Sequence, residues 1–274
     1  MTATEKAGRQ ARAAARKAAA HPALNRLARV GLACRGVLYA LIGVVAVRIA
    51  LGEGGGREAD KAGAISTVAR LPFGEVALWV MVAGFVALTL WQLSEALFGG
   101  LRVADRLETV GRTAVYALIC GTLLSVLRAG KATSDDEKSR DATEALLGLP
   151  GGPFIVGAIG LGLVALGVRW GHQGVTKRFR DELNLGQMSP RARSVMDRLG
   201  FAGYVARGVI AGLAGVFVVE AAITYDPDKA GGLDATLRAF AATPVGPWLL
   251  VVVALGLVLF AGYCFGESRW RRVR

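Results

Sequence analysis

Three arginines stand at corresponding places in otherwise apolar stretches of this chain: Arg35, Arg112 and Arg207. A second set, Glu95, Gln173 and Glu267, recurs near the ends of three other apolar stretches. An ionisable group in such a segment is costly to keep, so it marks either a function or a structural clamp. Three guanidinium groups facing three acceptors could close a ring of charge-assisted hydrogen bonds, or form a collar for a lipid phosphate or another anion. In the plainer reading the same side chains snorkel to the membrane interface and clamp one helix to the next.

Thirteen residues after Arg35 and Arg207 come Arg48 and Glu220, opposite charges at equivalent places. They either pair across an interface between helices or face solvent without touching. Arg169, followed by Trp170 and His172, occupies a level at which Trp91 and Tyr263 stand elsewhere. There it either belongs to an interfacial belt or contributes to a site.

Catalysis needs a converging nucleophile, base and oxyanion donors, or a metal set, and neither His-Glu-x-x-His nor Gly-x-Ser-x-Gly occurs. The cysteines, Cys34, Cys120 and Cys264, lie in apolar segments without paired spacing, as small hydrophobes do. His21 and His172 are the two histidines, and they cannot be assembled as a pair of axial haem ligands inside the membrane. Asp135-Asp136-Glu137 could bind a divalent cation, but a solvated acidic run needs no such role. The expectation is therefore a protein without catalytic, metal or cofactor-binding residues, and not an enzyme.

The elements that must position these side chains are legible in the hydropathy. A chain of 274 residues that is 53% hydrophobic, with a mean hydropathy of +0.44, is too apolar for a solvated surface. Six stretches, near 30–51, 74–98, 109–128, 153–171, 201–224 and 245–266, approach or exceed the roughly 20 residues that cross a bilayer. They are read as helices, because an open strand in lipid leaves its backbone groups unpaired. The expected fold is thus all-α, a polytopic membrane protein of six transmembrane helices.

The six fall into three repeats of a two-helix unit. The first helix of each carries the arginine, as Arg35-Gly36-Val37-Leu38-Tyr39, Arg112-Thr113-Ala114-Val115-Tyr116 and Arg207-Gly208-Val209-Ile210. The second opens with Pro-x-Gly, as Pro72-Phe73-Gly74, Pro150-Gly151-Gly152 and Pro244-Val245-Gly246. Ten residues later comes another glycine, Gly84, Gly162 or Gly256, and eleven beyond that the polar residue. Proline suits a helix entry, where its missing N–H would be an orphan donor anyway, and mid-helix glycine lets backbones approach closely. Two crossings per unit give every repeat the same orientation, so a pseudo-threefold arrangement about the membrane normal is expected. Apolar residues at helical spacing before Pro-x-Gly, such as Ile65 and Val68 or Leu233, Leu237 and Phe240, predict short amphipathic helices in the outer loops.

These motifs, three times over, resemble the bacterial membrane family catalogued as domain of unknown function 1206. The resemblance covers essentially the whole chain after residue 24, with Thr113 and Cys120 in repeat two where the others have glycine. It implies topology and no particular activity. The organisation read from the chain is a basic arm over 1–23, repeats over 24–100, 101–180 and 198–274, and a linker over 181–197.

Charge sets the orientation. The arm up to residue 29, residues 99–108 and 172–200 and the tail after Glu267 carry 19 Lys and Arg, against 8 in 52–73, 129–152 and 225–244. The positive-inside rule therefore places both termini in the cytoplasm, with the plasma membrane as the expected location. Because the formal charge of +12 is mostly this topology signal, nucleic acid is not an expected partner. The expected partners are the bilayer, anionic headgroups on the cytoplasmic face, and another copy or a membrane-protein partner. A non-catalytic scaffold or lipid- or partner-binding module fits best. The alternative is a small-solute or ion transporter or channel built from parallel repeats, against which the deep stretches 37–47, 79–90 and 251–260 are apolar.

Overall fold

The computed structural model describes residues 22–51, 61–98, 103–129, 134–230, 235–238 and 246–271. Among them the chain is helical, with one isolated antiparallel bridge, Leu183 to Arg271. In chain order the α-helices are α1 (Pro22–Ala50), α2 (Lys61–Ala69), α3 (Gly74–Phe98), α4 (Val103–Ala129), α5 (Asp135–Leu147), α6 (Gly152–Val175), α7 (Pro190–Thr224) and α8 (Gly246–Trp270). Of these α1, α3, α4, α6, α7 and α8 are long and apolar enough to cross a membrane. They are the six helices expected from hydropathy, with α1, α4 and α7 extended by a turn or more at their polar ends. Residues 1–21 of the basic arm lie outside the described residues.

Entry into the second helix of each repeat follows a shared device. Gly74 N–H donates to Leu71 O (2.8 Å) and Gly152 N–H to Leu149 O (2.8 Å). The residue before each is left-handed, Phe73 at φ 63° and Gly151 at φ 77°. A Cβ on Gly152 would lie 2.1 Å from Leu146 O, and one on Gly74 2.5 Å from Val68 O, so only glycine fits where the chain doubles back on the short helix. Of the third copy, Gly246 opens α8, and Pro244 and Val245 lie outside the described residues. Phe73, Phe154 and Trp248 near these entries are largely exposed, as an aromatic belt at a membrane interface would be.

The short helices of the loops inside the repeats are seated on the bundle. Ile65 and Val68 of α2 are buried in the same core as Leu78, Phe85 and Leu123. Leu237, in the helical turn 235–238, is buried against Val253 and Ala254, while Leu233 and Phe240 lie outside the described residues. Ser134 caps α5 by accepting from Glu137 N–H, and the Asp136 carboxylate accepts from Ala235 N–H (2.9 Å), tying the second repeat's loop to the third's.

The long helices pack as a row, in the order α6, α7, α8, α1, α3, α4. At two of its crossings glycine brings backbone against backbone. A Cβ on Gly167 of α6 would lie 2.6 Å from Gly208 O of α7, and one on Gly31 of α1 2.3 Å from Gly84 O of α3. Such backbone approach supplies the packing that lipid exclusion cannot. The two helices of the first repeat pack on each other, as do those of the third. Those of the second, α4 and α6, occupy opposite ends of the row and share no extended interface among the described residues. A closed pseudo-threefold ring would need that sixth interface as well. Its glycines match this difference: Gly84 meets Gly31, Gly256 meets Ala206, and Gly162 has nothing within 4 Å.

Candidate functional site

The polar chemistry gathers at one set of helix ends, where α1 begins and α8 finishes. Arg35, on α1, is buried, and its guanidinium is spent on three partners. Nη1 donates to the Tyr116 hydroxyl of α4 (2.7 Å), Nε to the Cys264 sulfur of α8 (3.3 Å), and Nη2 to the Glu267 carboxylate of α8. Glu267 is 1% exposed and also accepts from Arg271, one turn on. Arg271 lies 3.5 Å from the carboxylate of Glu182, and Arg112 of α4 donates to the same carboxylate at 3.3 Å. One chain of ion pairs, Arg35 to Glu267 to Arg271 to Glu182 to Arg112, thus joins all three repeats. Arg271 also lies over the Trp91 ring of α3, 4.3 Å from its centroid.

The linker after α6 places Glu182. Phe179, in the 3₁₀ turn Arg178–Glu182, inserts beside Gly200 of α7, where a Cβ would come within 2.5 Å of its ring. It stacks on Tyr204 (centroids 5.5 Å apart) and meets Tyr263 edge-on. Asn184 N–H then donates to Trp270 O (2.7 Å), zipping the linker to the end of α8, and Arg180 pairs with Asp197. Burial alone would raise the Glu182 carboxyl, but Arg271, Arg112 and Arg35 outweigh it and hold it at about 2.

Arg207, on α7, is treated differently. Its guanidinium lies 3.9 Å from the ring centroid of Trp170, 4.6 Å from Phe260, 5.7 Å from Tyr39 and 5.8 Å from Tyr204, rings supplied by α6, α8, α1 and α7. No carboxylate among the described residues pairs with it.

The structure therefore brings Arg35 and Glu267 together, but it does not arrange the three arginines and three acceptors as one ring. Arg112 takes Glu182, Arg207 takes aromatic faces, and the Glu95 side chain lies outside the described residues. Arg48 and Glu220 do not pair: Arg48 is exposed and Lys229 takes the Glu220 carboxylate at 2.7 Å, because both lie beside the turn after α7. Trp170 enters the Arg207 cage, whereas His172 is exposed. Sequence reasoning missed Arg271, Glu182 and Tyr116 as members of the cluster. At the opposite helix ends, where α7 finishes, a pocket of about 370 Å³ is lined by Arg140, Glu220, Asp228 and Lys229, whose charges neutralise one another in pairs. No group of His, Cys, Asp and Glu suited to a metal occurs among the described residues.

The model of the family described as Domain of Unknown Function (DUF1206) matches the chain three times, over residues 30–99, 108–177 and 202–271. The chain belongs to the DUF1206 family. Each match spans one arginine and one acceptor of the two sets, while Glu182 falls between the second and third. This DUF1206 chain is also similar to an uncharacterized protein of Bacillus subtilis (strain 168), YxxB. They are 28% identical over 259 residues, 92% of this chain and 93% of the relative. No solved structure matches it.

Proposed function

We propose that this DUF1206 protein is a non-catalytic, multi-pass module of the plasma membrane, with cytoplasmic termini, that binds anionic lipid or a membrane-protein partner. The observation that carries this reading is the location of the charge. The ion-pair chain and the Arg207 cage lie together at one set of helix ends, where α1 begins and α8 finishes and where most Lys and Arg of the described residues stand. The deep stretches of α1, α3 and α8 are apolar. A buried ion-pair chain that reaches every repeat fixes how the repeats meet; it does not leave an acid or base free for chemistry. Basic residues at a membrane face attract anionic headgroups at about 1 kcal/mol each when well placed.

Native mass spectrometry of the detergent-extracted chain, alongside solute flux in proteoliposomes, tests this reading. Anionic phospholipid or a second protein retained on the 28.6-kDa chain, without flux, is the expected result. A bare chain that conducts ions or small solutes would replace the module by the transporter reading.

A further inference from the structure

We infer that Arg207 and its aromatic cage form a site for a phosphate oxyanion, either a phospholipid headgroup or free phosphate. This rests on the lipid-binding reading above and gives it a location and a ligand chemistry.

Repeat logic shows what Arg207 lacks. Arg35 takes its counter-ion, Glu267, from the second helix of the repeat packed behind it, since α8 packs on α1. The same relation at α7 points to α6, where the corresponding residue is Gln173, an amide without charge. Arg112 is compensated by Glu182 instead. Of three equivalent arginines, Arg207 is the one without a carboxylate among the described residues.

The cage does not supply what is missing. The guanidinium carbon lies nearest the rings of Trp170 and Phe260, with Tyr39 and Tyr204 a little farther out, and each offers a π face that attracts a cation but carries no counter-charge. The N–H donors of a guanidinium lie in its plane, in a fork that matches phosphate geometry, and a ring face accepts from them only weakly. Among the described residues no side chain or carbonyl accepts from that edge. Arg207 is half-buried, eight residues and about 12 Å of helix rise inside the apolar stretch that begins at Leu199. There an uncompensated cation is destabilising, and an oxyanion at its edge would provide both counter-charge and acceptors. α6, which supplies Trp170, makes its one extended interface with a long helix on α7, so the cage lies near the open end of the row.

The test uses the full chain as wild type, Arg207→Gln and Arg207→Lys. Native mass spectrometry follows release from nanodiscs of phosphatidylglycerol or of phosphatidylcholine, and calorimetry titrates inorganic phosphate into delipidated protein. The expected result is either of two: about one phosphatidylglycerol retained, or phosphate bound, in each case weakened at least tenfold by Arg207→Gln. The first assigns the headgroup, the second the free anion. Arg207→Gln is also expected to raise the melting temperature of the delipidated protein, because it removes an unpaired cation; a purely structural arginine would lower it. Should Arg207→Gln not fold, Arg207→Lys carries the test. It keeps the charge and loses the fork, so retention must fall several-fold, and full retention overturns the inference. Lipid held equally by wild type and Arg207→Gln overturns the Arg207 site and leaves the lipid-binding module standing. A wild type that holds neither lipid nor phosphate overturns both.

Discussion

Replacing Glu267 by Gln probes the ion-pair chain at its centre. Glu267 is 1% exposed and serves Arg35 and Arg271, whose side chains are 10% and 11% exposed. The amide keeps the shape, loses the charge and turns an NH2 toward one guanidinium. Removing one partner of a buried pair costs about 3–5 kcal/mol, because the remaining charge is left uncompensated. At roughly 2–4 °C per kcal/mol for a chain of this size, the melting midpoint should fall by on the order of 10 °C. The three buried free thiols, Cys34, Cys120 and Cys264, provide the assay: a thiol-reactive fluorophore reports their exposure as detergent-solubilised protein is heated. Glu220→Gln, which breaks a partly exposed pair with Lys229, serves as the control and should leave the midpoint unchanged. Replacing both Arg35 by Met and Glu267 by Leu should cost less than Glu267→Gln alone, since no buried charge is stranded at that pair. Equal midpoints for Glu267→Gln and Glu220→Gln would refute the reasoning.

Gly167→Ala should push α6 and α7 apart and lower stability by about 1–3 kcal/mol, whereas Gly162→Ala, with open space at its Cβ, should be neutral or gain up to about 1 kcal/mol. Thermal midpoints compare the two, and equal losses would contradict the packing order. Gly152→Ala should destabilise at least as much as Gly167→Ala, because its Cβ would fall 2.1 Å from Leu146 O; an unchanged midpoint would mean that the Pro-x-Gly turn is not closed this way. Glu182 has a folded pKa of about 2 against 4.5 ordinarily, so its contribution is complete above about pH 4.5 and is lost as pH falls toward 2. With 30% of its side chain exposed, solvent screening reduces that contribution to about 1–2 kcal/mol. Melting midpoints between pH 7 and 2.5 should therefore fall more steeply for wild type than for Glu182→Gln, and identical slopes would count against the pairing.

Helices, repeats and turns were legible because each is a local pattern. Hydropathy marks the spans, and Pro-x-Gly with its following glycine marks the second helices. Partner choice is not local. Gly84, Gly162 and Gly256 look alike in sequence, yet Gly162 lacks the contact the others make, since α4 and α6 sit at opposite ends of the row. Arg35 and Glu267 could be nominated from their repeat positions, and Arg271 carried a readable signal as the residue one helical turn beyond Glu267. Glu182 carried none: it sits in a linker outside every repeat, and the insertion of Phe179 beside Gly200 is what places it. The Arg207 cage draws rings from four helices, a coincidence that no spacing along the chain encodes.

The packing order underlies every element of this account, and disulfide trapping tests it most directly. Gly43 of α1 lies against Val258 of α8, with a Cβ at Gly43 2.7 Å from a Val258 methyl that Val258→Cys replaces, so Gly43→Cys with Val258→Cys brings two thiols within bridging reach once Ala254 O, 3.1 Å from that Cβ, gives way slightly. With Cys34, Cys120 and Cys264 replaced by Ala and a protease site placed at 130–133, oxidation should keep the two halves of the cleaved chain in one band. Gly121→Cys of α4 with Gly162→Cys of α6 should leave them separable. A bridge between Gly121 and Gly162 in a monomer, with none between Gly43 and Val258, would contradict the account.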